Sequence, residues 1–150
     1  MLDSPVLNEI SALANVFIAL GVIGVFWQIF LTKQQNRSNF EDDLNREYRE
    51  ISRNLPMAAM LGEKISPSDL QSSLKYFLNY FDLTNEEILF RQIGRISTET
   101  WLYWRDGIRQ NLQSPAFDAA WSQVKSASKD RFQELRKLEE NKFEADPKDW

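Results

Sequence analysis

The sequence predicts an all-α protein: an N-terminal membrane-spanning helix continuing into a juxtamembrane helix, followed by a small cytosolic helical bundle. Three observations carry this. Residues Ser11–Leu31 read SALANVFIALGVIGVFWQIFL, with no charged side chain. Beyond them the apolar residues recur at helical spacings of three and four. Alternating strand-like runs are absent.

A helix needs about 20 apolar residues to cross a hydrocarbon core ~30 Å thick, and a helix satisfies its own backbone in lipid. Gly21 and Gly24 suit a membrane helix better than a soluble one. A buried core helix is the rival reading, opposed by the length of the run and its lack of a charged face. A cleaved signal peptide would want a basic start and a small-residue cleavage site; here Asp3 and Glu9 precede the run, and Trp27, Phe30 and Leu31 close it. Basic residues fall only after the run, at Lys33, Arg37, Arg46, Arg49 and Arg53. The positive-inside rule therefore puts residues 1–10 outside, the span at 11–32, and the remainder in the cytoplasm. The chain has no cysteine, which agrees with a reducing compartment.

Ser11, Ala14, Ile18, Gly21, Val25 and Gln28 form a seam of small and polar residues, continuing to Thr32 and Gln35. Small residues let membrane helices approach closely, and Gln28 can hydrogen-bond its copy. The expectation is a homo-oligomer in the bilayer, against the alternative of a lone helix. A single span encloses no pore, so any channel would require oligomers.

Phe40, Leu44, Tyr48, Ile51 and Leu55 continue the helical spacing as an amphipathic juxtamembrane helix over 33–55, which Pro56 ends. The cytosolic helical domain occupies 56–150. Residues 56–66 read as a connection with one helical turn at Met57–Leu61. Ser66-Pro67 opens a helix carrying Leu70, Leu74, Phe77, Leu78, Phe81, Ile88 and Leu89, with Gly94 as its C-terminal cap. Ser97 caps a helix bearing Trp101, Trp104, Ile108 and Leu112. Ser114-Pro115 opens the next, with Phe117, Ala120, Trp121 and Val124 on one face. A last helix, about Ser128 to Glu144, carries Phe132, Leu135 and Leu138.

Composition excludes more chemistry than it suggests. There is no histidine and no cysteine, so the usual neutral-pH base, thiol nucleophiles and most transition-metal ligands are missing. The five glycines are scattered, with no phosphate loop. Ser114 reads as a cap, not a nucleophile. Asp42 and Asp43, like Glu86 and Glu87, are adjacent on a helix and face different directions, while Glu87 and Arg91 are spaced as a surface ion pair. No enzyme, cofactor or metal is expected. The net charge of −4 is spread thinly, with no basic tract to grip DNA or RNA.

The region that suggests a ligand runs from Arg91 to Arg109. Arg91 and Arg95 sit at a helix end; Arg105 and Arg109 lie four apart on the next helix, beside Trp104. Guanidinium forks match phosphate and aromatic rings stack on bases. If the turn at Gly94–Ser97 brings the two helices together, Arg91, Arg95, Trp104, Arg105 and Arg109 make a pocket for an anionic small molecule such as a nucleotide messenger. The competing reading makes Trp101, Trp104 and Ile108 core and leaves the arginines solvated or paired with Glu87, Glu99 and Asp106.

Tyr80-Phe81-Asp82-Leu83, Asn85-Glu86-Glu87, Gly94-Arg95-Ile96, Trp101, Trp104, Gly107-Ile108, Pro115-Ala116-Phe117 and Ala120-Trp121 resemble a family of small bacterial membrane proteins with one N-terminal span and a helical cytosolic domain of unassigned function. The resemblance covers the middle third of the chain. It implies the bacterial inner membrane and supplies no catalytic residue. The layout is also similar to that of membrane effectors of antiviral defence, some of them CRISPR-linked, which sense cyclic nucleotides. The function expected is therefore a non-enzymatic, membrane-anchored, oligomeric effector that senses a ligand or protein partner. The alternative is a passive anchor or scaffold for a cytosolic protein.

Overall fold

Proline, glycine and capping residues divide the chain into the segments that the structure, a computed structural model, then forms as helices. It describes the backbone from residue 4 and the side chains from Gly21 to Trp150. The elements are α1 (Ser4–Asn54), α2 (Met57–Met60), α3 (Pro67–Gln92), α4 (Thr98–Gln113), α5 (Pro115–Ala127), α6 (Gln133–Glu140) and a terminal 3-10 helix (Pro147–Asp149). No strand occurs among the described residues. The chain divides into two units, Met1–Asn39 and Phe40–Trp150.

In the first unit, the described part of α1 leaves Val22, Ile23, Val25, Phe26, Trp27, Ile29, Phe30 and Leu31 between 47% and 68% exposed. Those positions cover about two thirds of the helix circumference, and Gly21, Gly24 and Gln28 fall on the remaining side. Gly21 and Gly24 have open space where a Cβ would stand. Among the described residues no helix is long and apolar enough to cross a membrane. The side chains of residues 11–20, the first half of the uncharged run, lie outside what is described, those of Ser11, Ala14 and Ile18 of the seam among them.

The second unit is built around α3. Its N-terminus is closed as the sequence predicts: Pro67 takes the first turn and the Ser66 hydroxyl accepts the Asp69 N–H. Its C-terminus ends at Gly94, with φ of 74°. The Gly94 N–H donates to the Arg91 carbonyl and the Arg95 N–H to the Phe90 carbonyl, the paired bonds of a left-handed helix cap. The α3 aromatics meet α5, Phe77 and Tyr80 edge-on to Phe117 and Phe81 tilted against Trp121. Phe77 and Tyr80 lie 5.0 and 4.9 Å from Phe117, and Phe81 lies 4.9 Å from Trp121. Trp101, Trp121, Phe77 and Phe81 are fully buried. Leu44 of α1 and Leu55 just beyond its end are buried, with Phe40, Tyr48 and Ile51 packed alongside.

Three local expectations change. The last helix is shorter than Ser128–Glu144. Phe132 takes a left-handed φ of 58° to drop its ring into the core, so α6 starts only at Gln133. Its first turn is capped from another helix: Asn85 Oδ1 accepts the N–H groups of Glu134 and Leu135 at 3.0 and 3.1 Å. Ser114 does not cap α5 with its side chain; its hydroxyl donates to the Asn111 carbonyl at 2.8 Å and closes α4 instead. Leu89, expected on the apolar face of α3, is 43% exposed. The buried face turns instead through Tyr80, Thr84, Glu87 and Arg91.

Candidate functional site

That buried line on α3 organises the site. Steps of four, three and four residues keep Tyr80, Thr84, Glu87 and Arg91 on one helix face, alongside Phe77 and Ile88 of the core. Polar groups so placed need partners, and Arg91 finds them at the C-terminal end. Its Nε and Nη2 donate to the two carboxylate oxygens of Asp146 at 2.8 and 2.5 Å. Nη1 donates to the Ile96 carbonyl at 2.9 Å and Nη2 to Thr98 Oγ1 at 3.1 Å. The hydrogen bond from Arg91 holds the Asp146 carboxyl below its ordinary range, and the same bond holds the guanidinium charged. The expected surface pair between Glu87 and Arg91 does not form. Both side chains are buried, and Arg91 reaches the C-terminal segment instead.

Glu87 faces a cleft of about 550 Å³ between α1, α3 and α4. Asn45, Tyr48 and Arg49 line it from α1, Tyr80 and Glu87 from α3, and Tyr103, Trp104, Asp106 and Asn111 among others from α4. Asn45 Oδ1 accepts the Trp104 indole N–H at 3.1 Å, and the Tyr80 hydroxyl accepts from Asn111 Nδ2 at 3.0 Å. The Tyr48 and Tyr80 rings stand 6.2 Å apart at 61°. At the N-terminus of α4, Glu41 of α1 accepts from the Ser97 N–H at 2.6 Å and from the Thr100 hydroxyl at 2.7 Å, which ties the two cleft walls together.

The Glu87 carboxyl has no hydrogen bond or ion pair among the described residues. Burial, reinforced by the negative charge of Glu47, pushes it up to about 8. Burial likewise raises the Tyr80 phenol far above its ordinary 10.0. The cleft therefore holds a carboxyl that keeps its proton well above the usual carboxylate range.

Of the five ligand residues expected from sequence, only Trp104 lines this cleft. Arg91 is committed to Asp146. The Arg95 guanidinium stacks 3.8 Å above the Phe40 ring and 5.4 Å from that of Phe90. Arg105 and Arg109 share Asp106, each at 3.4 Å. A convergent set of arginines for phosphate is thus not formed; Arg91 and Arg95 are held by Asp146 and by the Phe40 ring, and Arg105 and Arg109 by Asp106. The physical reason is that the buried face of α3 turns Arg91 inward, while Asp106 lies one residue from Arg105 and three from Arg109. Tyr48, Tyr80, Glu87 and Asn111 were missed as site residues. The available signal was the seven-residue step from Tyr80 to Glu87, which puts both on the face carrying Phe77 and Ile88.

Among the described residues no group of acidic side chains is placed to hold a metal ion. No protein-family model, curated protein or solved structure matches the chain.

Proposed function

We propose that the protein is a non-enzymatic, single-pass membrane protein whose cytoplasmic unit senses a small molecule in the α1–α3–α4 cleft. One observation carries this reading: a single helix, α1, bears both the uncharged run and the cleft residues Asn45, Tyr48 and Arg49. A helix with so broad an apolar face and no charged side chain along it belongs in lipid or in a large core. The exposed large side chains from Val22 to Leu31 extend the charge-free sequence that starts at Ser11. The basic residues that follow it favour an outside N-terminus, and the resemblance to small bacterial membrane proteins favours the inner membrane. Gly21, Val25 and Gln28 supply the described part of the association seam. A ligand acts on such an effector by binding two arrangements of it unequally.

A passive scaffold is the second reading. It draws on the exposed apolar side chains of Met57, Leu61, Leu89, Ile93 and Leu102, which a protein partner would cover.

Mass photometry and thermal unfolding of the full chain in maltoside detergent test the proposal, with a panel holding cyclic nucleotides and organic cations. The expected result is an oligomer whose mass or unfolding temperature changes with one ligand class. Gly21→Ile should lower the oligomer order, because a bulky side chain blocks close approach. A constant mass and unfolding temperature across the whole panel would contradict the sensor and leave the scaffold.

A further inference from the structure

The lining of the cleft has a definite chemical bias. Tyr48, Tyr80, Tyr103 and Trp104 contribute aromatic rings, whose faces carry negative potential. Two carboxyls join them, Glu87 and Asp106. Asp106 is already matched by Arg105 and Arg109, whereas Glu87 is 7% exposed and has no cation beside it. The one basic residue of the lining, Arg49, is exposed on α1. The volume suits a small organic ligand. Rings around an unmatched carboxyl are the recognition chemistry of an ammonium group.

Resting on the sensor reading above, we infer that the cleft takes a small organic cation. Its ammonium group sits against the Tyr48, Tyr80 and Trp104 rings, with the Glu87 carboxylate as counter-ion. The apo cleft keeps Glu87 protonated, and the cation displaces that proton to solvent. Charge is conserved: one positive group enters and one proton leaves. The other titratable and charged groups around Glu87 are Glu47, Tyr48 and Arg49 on α1, Tyr80 on α3, and Tyr103 and Asp106 on α4. Of these, Glu47 raises the Glu87 carboxyl.

Isothermal titration of the full chain in maltoside with tetramethylammonium and with choline tests this. The affinity should rise roughly 50-fold from pH 6 to pH 8 and flatten above, because only the ionised carboxyl binds the cation. At pH 7 the heats in two buffers of different ionisation enthalpy should report the release of about one proton. Glu87→Gln should weaken binding by about tenfold or more and remove both signatures. Tyr48→Leu, which removes one of the rings placed against the ammonium, should weaken binding severalfold and keep the pH dependence. No cation binding alongside a response to cyclic nucleotides would overturn the inference and leave the sensor standing. Silence to both classes would sink the two together. Binding that is independent of pH and unchanged in Glu87→Gln would overturn the counter-ion role.

Discussion

Asp146→Ala is expected to destabilise the unit Phe40–Trp150 by about 3–5 kcal/mol, because it strands a buried guanidinium. Arg91 is 3% exposed and spends two of its hydrogen bonds on this carboxylate. The bonds to the Ile96 carbonyl and to Thr98 remain, but neither carries a countercharge. The same pair joins the end of α3 to the segment holding the terminal 3-10 helix, so that segment should loosen first. Replacing both partners, as in Arg91→Met with Asp146→Ala, should recover part of the loss, since an apolar substitute needs no partner. Urea unfolding followed by tryptophan fluorescence reads both. Because Asp146 titrates below its ordinary 3.8 in the folded state, the pair's contribution is complete above that value. It disappears as the pH falls through the lower folded value. A loss under about 1 kcal/mol would mean that water reaches Arg91 and the pair is a surface one.

Glu87→Gln should remove a slope from the pH dependence of stability. Burial pushes the folded carboxyl up to about 8 from its ordinary 4.5. Between those values the folded state holds a proton that the unfolded state has lost, so stability falls as pH rises, by about 1.4 kcal/mol per unit. The contribution is complete below 4.5 and gone once the pH passes the folded value. Across the window it amounts to some 4–5 kcal/mol. Glutamine keeps the shape of the protonated acid and never ionises. Urea midpoints at pH 5, 7 and 9 should therefore nearly coincide for wild type and Glu87→Gln at pH 5, then separate, the variant being more stable by about 4 kcal/mol at pH 9. Parallel profiles would show that Glu87 ionises freely in the fold. The group that destabilises the empty protein at alkaline pH is the one assigned to the ligand. Such a conflict between stability and local chemistry is expected at functional sites.

Helix order was legible because punctuation and periodicity agree in this chain. Ser66-Pro67, Gly94, Ser97 and Ser114-Pro115 all stand at helix ends. Trp101, Trp104, Ile108 and Leu112 are all buried, as their spacing requires. The start of α6 was not legible, because a phenylalanine in the left-handed region is set by the core that receives its ring and has no local signal. The site was legible only at Trp104. Reading charged residues as solvated is a sound default, and it misassigned Glu87 and Arg91. The face of α3 that carries them is defined by α1, α4 and the C-terminal segment, and Asp146 lies 55 residues beyond Arg91.

On the proposed reading, α1 carries both a membrane anchor and a wall of a cytoplasmic cleft. Single-cysteine labelling tests it cleanly, because the chain has no cysteine of its own. Ser4→Cys and Ser126→Cys would be treated with a membrane-impermeant maleimide in intact spheroplasts and after permeabilisation. The account predicts labelling of Ser4→Cys from outside, labelling of Ser126→Cys only after permeabilisation, and retention of both in the membrane after an alkaline wash. Release of the protein by that wash, or labelling of Ser126→Cys in intact spheroplasts, would contradict it.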